Sequence, residues 1–181
     1  IQFADHTGTN ALVTGQSRSW NLEVRPDALD QILKVTLVWT DPPANPNAGV
    51  KLVNDLDLVL REGTNAVYGG NDIPYRSDFT NPRVDEGSIT NDVINNVENI
   101  ILRPPLATNY TLTVRARRVN VNAVAEHPAG VAQDFALAVS LENPGLTNAL
   151  SITPVAPPDV FASTRLLVAP TNGIPLLRQR V

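Results

Sequence analysis

The sequence predicts an all-β domain, an antiparallel jelly roll or β-sandwich, on three observations. Apolar residues recur at alternate positions in several short runs, turn-forming residues separate the runs, and no stretch sustains the 3.6-residue period of a long helix. A first short strand is expected over 11–14. In Trp20, Asn21, Leu22, Glu23, Val24 and Arg25 every second residue is apolar, the signature of a strand buried on one side. The next run, 32–39, has one wholly apolar face (Leu33, Val35, Leu37, Trp39) and one mixed face, which suits a central strand. Further strands are expected over 66–70, 97–102, 110–116 and 134–140, about eight in all. Turns at Arg25-Pro26-Asp27, Asp41-Pro42-Pro43, Glu62-Gly63-Thr64-Asn65 and Arg103-Pro104-Pro105 stop them. Only 27–31 and 121–126 leave room for a helical turn.

The run Val53-Asn54-Asp55-Leu56-Asp57-Leu58-Val59-Leu60 reads as a buried strand that carries two aspartates. Residues two apart share a face, so Asp55 and Asp57 stand side by side, roughly 6.8 Å apart, while the leucines point the other way. Two like charges on one sheet face call for a cation, a hydrogen-bonding loop or water.

Two segments break the pattern. The stretch 71–96 is long, loop-like and acidic, with Asp72, Asp78, Asp85, Glu86 and Asp92 against Arg76 and Arg83. A loop of that length in a compact domain is commonly functional or tied down. From Glu142 onward prolines recur, so the chain divides into a β-domain over 1–141 and a proline-rich extension or linker over 142–181, with a short strand at 164–168.

A length of 181 residues suffices for one domain with a sizeable core. The net charge of −4 gives no electrostatic footprint for nucleic acid, and no apolar run is long enough to span a bilayer as a helix. Arg115, Arg117 and Arg118 cluster, but arginines at a strand end generally face solvent. Without cysteine, neither a disulfide nor a thiolate site can form. The chain contains no methionine and begins in mid-phrase, so it reads as a piece of a longer precursor.

A hydrolase needs a nucleophile, a base within reach and a group that orients the base. The two histidines, His6 and His127, sit in loop-like contexts without such partners in the sequence, and no phosphate-binding or histidine-rich metal motif is present. What remains is oxygen-ligand chemistry. Calcium accepts carboxylates, amide oxygens and backbone carbonyls in irregular loops, and 71–96 offers all three. Trp20 and Trp39 fall on apolar strand faces and are expected in the core.

Several phrases recur in a familiar order: Leu33 to Pro43 (LKVTLVWTDPP), Leu52 to Leu58 (LVNDLDL), Gly70-Asn71-Asp72, Asn95 to Asn99 (NNVEN) and Gln133 to Leu137 (QDFAL). The series, spanning roughly 1–141, resembles the C-terminal β-domain of secreted subtilisin-like serine proteases of the oxidation-resistant alkaline type. It is more distantly similar to the P domain of the proprotein convertases. The resemblance implies a galactose-binding-like jelly roll packed against an upstream subtilisin-like catalytic domain in an exported enzyme, with the Asp-His-Ser machinery outside these residues. It also implies calcium in the loop between the Gly-Asn-Asp and Asn-Asn-Val-Glu-Asn phrases, where Asp72 and Asp92 match by position and Asp85 and Asp78 complete the candidate set. The loop is longer than in the family, and its acidic cluster is thinner. The expected function is a non-catalytic accessory domain that stabilises the catalytic partner and modulates substrate access. The alternatives are a carbohydrate-binding or adhesive module, against which the few aromatics speak, and a spacer domain of a large surface protein.

Overall fold

A computed structural model describes residues 2–5, 11–50, 52–124, 130–143, 146, 148–155 and 166–168. Among them run ten strands: β1 (Gln2–Asp5), β2 (Ser17–Val24), β3 (Leu33–Val38), β4 (Asn54–Glu62), β5 (Ala66–Gly69), β6 (Val97–Leu102), β7 (Asn109–Val119), β8 (Ala136–Leu141), β9 (Leu150–Pro154) and β10 (Leu166–Val168). They pair antiparallel in two five-stranded sheets, ordered β10-β1-β8-β3-β6 and β5-β4-β7-β2-β9. The first four strands alternate between the sheets, and the order 1-8-3-6 against 2-7-4-5 is that of a jelly roll, two Greek keys wrapped on each other. No α-helix occurs among the described residues.

Alternation decides what enters the core. In β3 the inward residues Leu33, Val35 and Leu37 are fully buried, and in β4 Leu56, Leu58 and Leu60 meet them from the opposite sheet. Each such side chain contributes about 2 kcal/mol of apolar burial, so the six together define the register of both central strands. Trp20 and Trp39 join this core as expected, Trp20 standing edge-on to Phe135 with ring centroids 6.3 Å apart.

The structure differs from the sequence expectations in several places. Leu12 makes only an isolated bridge to Gln133 in place of a strand over 11–14. The helical turn near Asp27 is a 3-10 turn, Pro26–Ala28, whereas 121–124 is irregular and 125–126 lie outside the described residues. A second 3-10 turn, Glu86–Ser88, forms inside the acidic loop, where Asp85 accepts the Ser88 N–H at 2.9 Å. The sheet also continues past residue 141. Strand β9 adds to β2 in the register Leu22↔Ile152, and Leu150 and Ile152 are buried, so alternation outweighs the proline content there. Strand β10 falls within the predicted 164–168 and pairs with β1.

Candidate functional site

The phrases that stand out in the sequence meet in two hydrogen-bonded assemblies. In the first, β3 runs out at Trp39 and the chain returns at Asn54, where one carboxylate turns both ends: Asp41 accepts the N–H groups of Val53 (2.9 Å) and Asn54 (2.7 Å). The buried Asn54 side chain is saturated. Its Oδ1 accepts from Asn120 N–H (2.9 Å) and Val121 N–H (3.1 Å), and its Nδ2 donates to Val121 C=O and to Gln133 Oε1, both at 2.7 Å. Gln133, equally buried, donates onward to Thr40 C=O at 3.2 Å, and Trp39 Nε1 donates to Asn54 C=O at 3.0 Å. Four chain segments are thereby tied through two amide side chains.

The second assembly covers the free edge of β6. An exposed edge presents unpaired N–H and C=O groups that invite foreign strands. Here Asn71 and Thr80 satisfy them. Asn71 donates its N–H to Asn99 C=O, accepts the Asn99 N–H on Oδ1, each at 2.9 Å, and gives Nδ2 to Val97 C=O at 2.8 Å. Thr80 repeats the pattern at Ile101 through its N–H and Oγ1, again at 2.9 Å each. Asn71 does this at φ 57°, a left-handed conformation that asparagine tolerates better than most residues. The loop over 71–96 is therefore tied down as an edge cover.

Three of the four predicted calcium ligands, Asp72, Asp85 and Asp92, have separate engagements in it. Asp72 holds Arg83 in a two-pronged ion pair, Nε to Oδ2 at 2.7 Å and Nη2 to Oδ1 at 2.8 Å. Asp85 caps the 3-10 turn, and Asp78 is exposed. Asp92 accepts from Ile94 and Asn95 N–H on Oδ1 and from the Asn71 and Asn95 amides on Oδ2. Burial pushes its carboxyl upward, but those donors outweigh it and hold the group below the usual carboxylate range. Among the described residues no three His, Asp or Glu side chains converge as a metal-binding group.

A different set of carboxyls is buried, and only part of it was singled out from the sequence. Asp55 and Asp57 are 2% and 6% exposed, each with an Oδ1 lacking a hydrogen-bond partner, and Glu98 of β6 is 1% exposed. Glu98 reaches across the seam between the sheets, where its Oε2 accepts the Leu58 N–H at 2.6 Å, at a point where β4 has no neighbouring strand on that side. Burial, followed by repulsion from Asp57, Asp92 and Asp55, pushes Glu98 up to about 9. Burial and then Asp55 push Asp57 up to about 6, against the pull of Arg117 and Arg115. The signal for Glu98 lay in the alternation: it occupies the same face of β6 as the buried Ile100 and Leu102.

Glu98 fits because residue 70 has no side chain. A Cβ on Gly70 would fall on Glu98 Oε2 and lie 2.7 Å from Glu98 Cβ. Gly70→Ala is expected to cost about 2 kcal/mol by overpacking, read as a lower urea midpoint. An unchanged midpoint would mean that Glu98 moves aside freely.

Of the arginine cluster, Arg115 and Arg118 are tied into the domain and Arg117 is exposed. Arg115 and Arg61 grip Glu86 at 2.6 and 2.8 Å, holding the acidic loop's 3-10 turn to β7 and β4, and Arg118 donates to Leu52 C=O. His6 and His127 lie outside the described residues. Tyr75 is 89% exposed, with the Arg76 guanidinium 5.2 Å from its ring centre. No helix among the described residues is long and apolar enough to cross a membrane.

No known family model matches the chain. Two curated proteins of Dictyostelium discoideum are similar to it. The serine protease/ABC transporter B family protein tagB is 36% identical over 91 residues, which is 48% of this chain and 4% of that protein. The serine protease/ABC transporter B family protein tagA is 31% identical over 106 residues, 56% of this chain and 5% of that protein. The chain thus corresponds to a small part of each, and its likeness is to proteins whose names pair a serine protease with an ABC transporter.

Proposed function

We propose that this chain is a non-catalytic accessory domain of a secreted subtilisin-like serine endopeptidase, which stabilises an upstream catalytic domain and modulates access of substrate. The observation that carries the proposal is where the ordered phrases lie. They build the turn assembly around Asn54 and the edge cover around Asn71, and these structural engagements support the reading of the domain as an accessory one. The serine protease in the names of both similar proteins supports the same assignment. Asp41, Asn54, Asn71 and Gln133 have their hydrogen-bonding groups directed to the domain's own backbone, amides and carboxylates, which suits a rigid companion domain.

Two measurements test this. The isolated 181-residue chain should leave casein and chromogenic peptides uncut, and inhibitor-sensitive hydrolysis would overturn the proposal. In the full-length polypeptide, deleting these residues should lower the melting temperature of the peptidase. An unchanged melting temperature, or an upstream sequence without a subtilisin-like domain, would favour the spacer or carbohydrate-binding alternatives.

A further inference from the structure

We propose that the guanidinium of Arg83 is the built-in cation of the acidic loop, neutralising Asp72 where a bound metal would otherwise be required, so that this loop is locked without calcium. Asp72 is buried to 8% exposure, and a buried carboxylate needs a compensating positive charge. Arg83 supplies it with a fork that matches both carboxylate oxygens, the geometry in which arginine binds carboxylates most strongly. A metal ion seeking those same two oxygens must first displace the guanidinium.

The arginine is held in place before its side chain contributes anything. Its backbone pairs with the edge strand β5, Val67 N–H to Arg83 C=O at 2.9 Å and Arg83 N–H to Val67 C=O at 2.8 Å. Asp72 is fixed from the other side, its N–H donating to the C=O of Gly69 at the end of β5 at 3.3 Å, and its C=O accepting the Asn81 N–H within the loop at 2.8 Å. The ion pair therefore closes a ring of chain from 72 to 83 whose ends are both anchored to the sheet, with the exposed tip at Tyr75 and Arg76 projecting from it. Asp92 and Asp85, the other acidic anchors of the loop, are likewise satisfied from within, by amides and backbone N–H groups.

The exposed Arg76 provides a local probe. Trypsin cleavage after Arg76, followed by mass, reports opening of this ring in the whole 181-residue chain. In wild type the cleavage rate is expected to be the same in millimolar calcium and in chelator. Arg83→Gln should speed it at least tenfold, and Asp72→Asn, which removes the other half of the pair, should do likewise. Calcium-dependent protection of wild type would overturn the proposal, as would an Arg83→Gln rate equal to wild type. If neither variant folds, the calcium comparison on wild type still decides. Neither readout depends on a peptidase, so failure here is distinct from failure of the accessory-domain proposal.

Discussion

Asn54→Ala is expected to destabilise the domain by about 4 kcal/mol, enough to consume much of the roughly 5–15 kcal/mol that separates a folded domain from its unfolded chain. Alanine strands the partners of all four side-chain bonds at once: the Asn120 and Val121 N–H groups, Val121 C=O and Gln133 Oε1. A buried donor or acceptor left unpaired costs roughly 1–3 kcal/mol, and water entering the vacated space recovers part of the sum. Asn54→Asp separates shape from chemistry. It keeps an acceptor for the two N–H groups but loses both donors and buries a charge beside the Asp41 turn, so it should be no milder than alanine. Urea denaturation with the slope monitored is the measurement. A loss under 1 kcal/mol for alanine would mean that the turn assembly is wetted and that Asp41 alone fixes the end of β4.

The contrast between Asn54 and its neighbours shows what periodicity could and could not reveal. Alternation located β3 and β6 to within a residue or two, and it put Leu56, Leu58 and Leu60 in the core, because a period of two is a property of one strand and needs no partner. The same rule had marked Asp55 and Asp57 as sharing a face. It could not show that both aspartates are buried or that the acidic loop is held to β4 and β7 through Glu86, since burial of a sheet's outer side depends on segments with no period of their own. Arg83 was hidden for the same reason, its partner lying eleven residues earlier across an irregular turn. Strand β9 was obscured differently. Prolines at 144, 154, 157 and 158 suggested a linker, yet Pro154 ends the strand on the sheet's outermost position, where a missing N–H is tolerated. Glu98 is readable in the sequence, since a glutamate in step with Ile100 and Leu102 puts a carboxyl on the core face.

The buried Glu98 carboxyl makes stability fall as pH rises, and Glu98→Gln is expected to remove most of the fall. Burial first, then the neighbouring aspartates, set the folded Glu98 near 9 against an ordinary 4.5, so the folded chain keeps a proton that the unfolded chain has released. The stabilisation is complete below the ordinary value and is lost as pH climbs through about 9. Asp57, raised from 3.8 to about 6, behaves alike in a lower window. Glu86 and Asp92 are shifted the other way, so their contributions vanish on acidification and leave the alkaline limb untouched. Between about pH 6.5 and 8.5 one excess proton remains, and the unfolding free energy should drop by roughly 1.4 kcal/mol per pH unit. In Glu98→Gln an amide oxygen can still accept the Leu58 N–H, and no proton is needed to keep the side chain neutral. The variant should match wild type to within about 1 kcal/mol near pH 5 and exceed it by a few kcal/mol at pH 8, read from urea midpoints. Parallel profiles for the two proteins would mean that Glu98 is ionised in the fold and that a positive charge, from Arg117 or from a bound ion, reaches it across the seam.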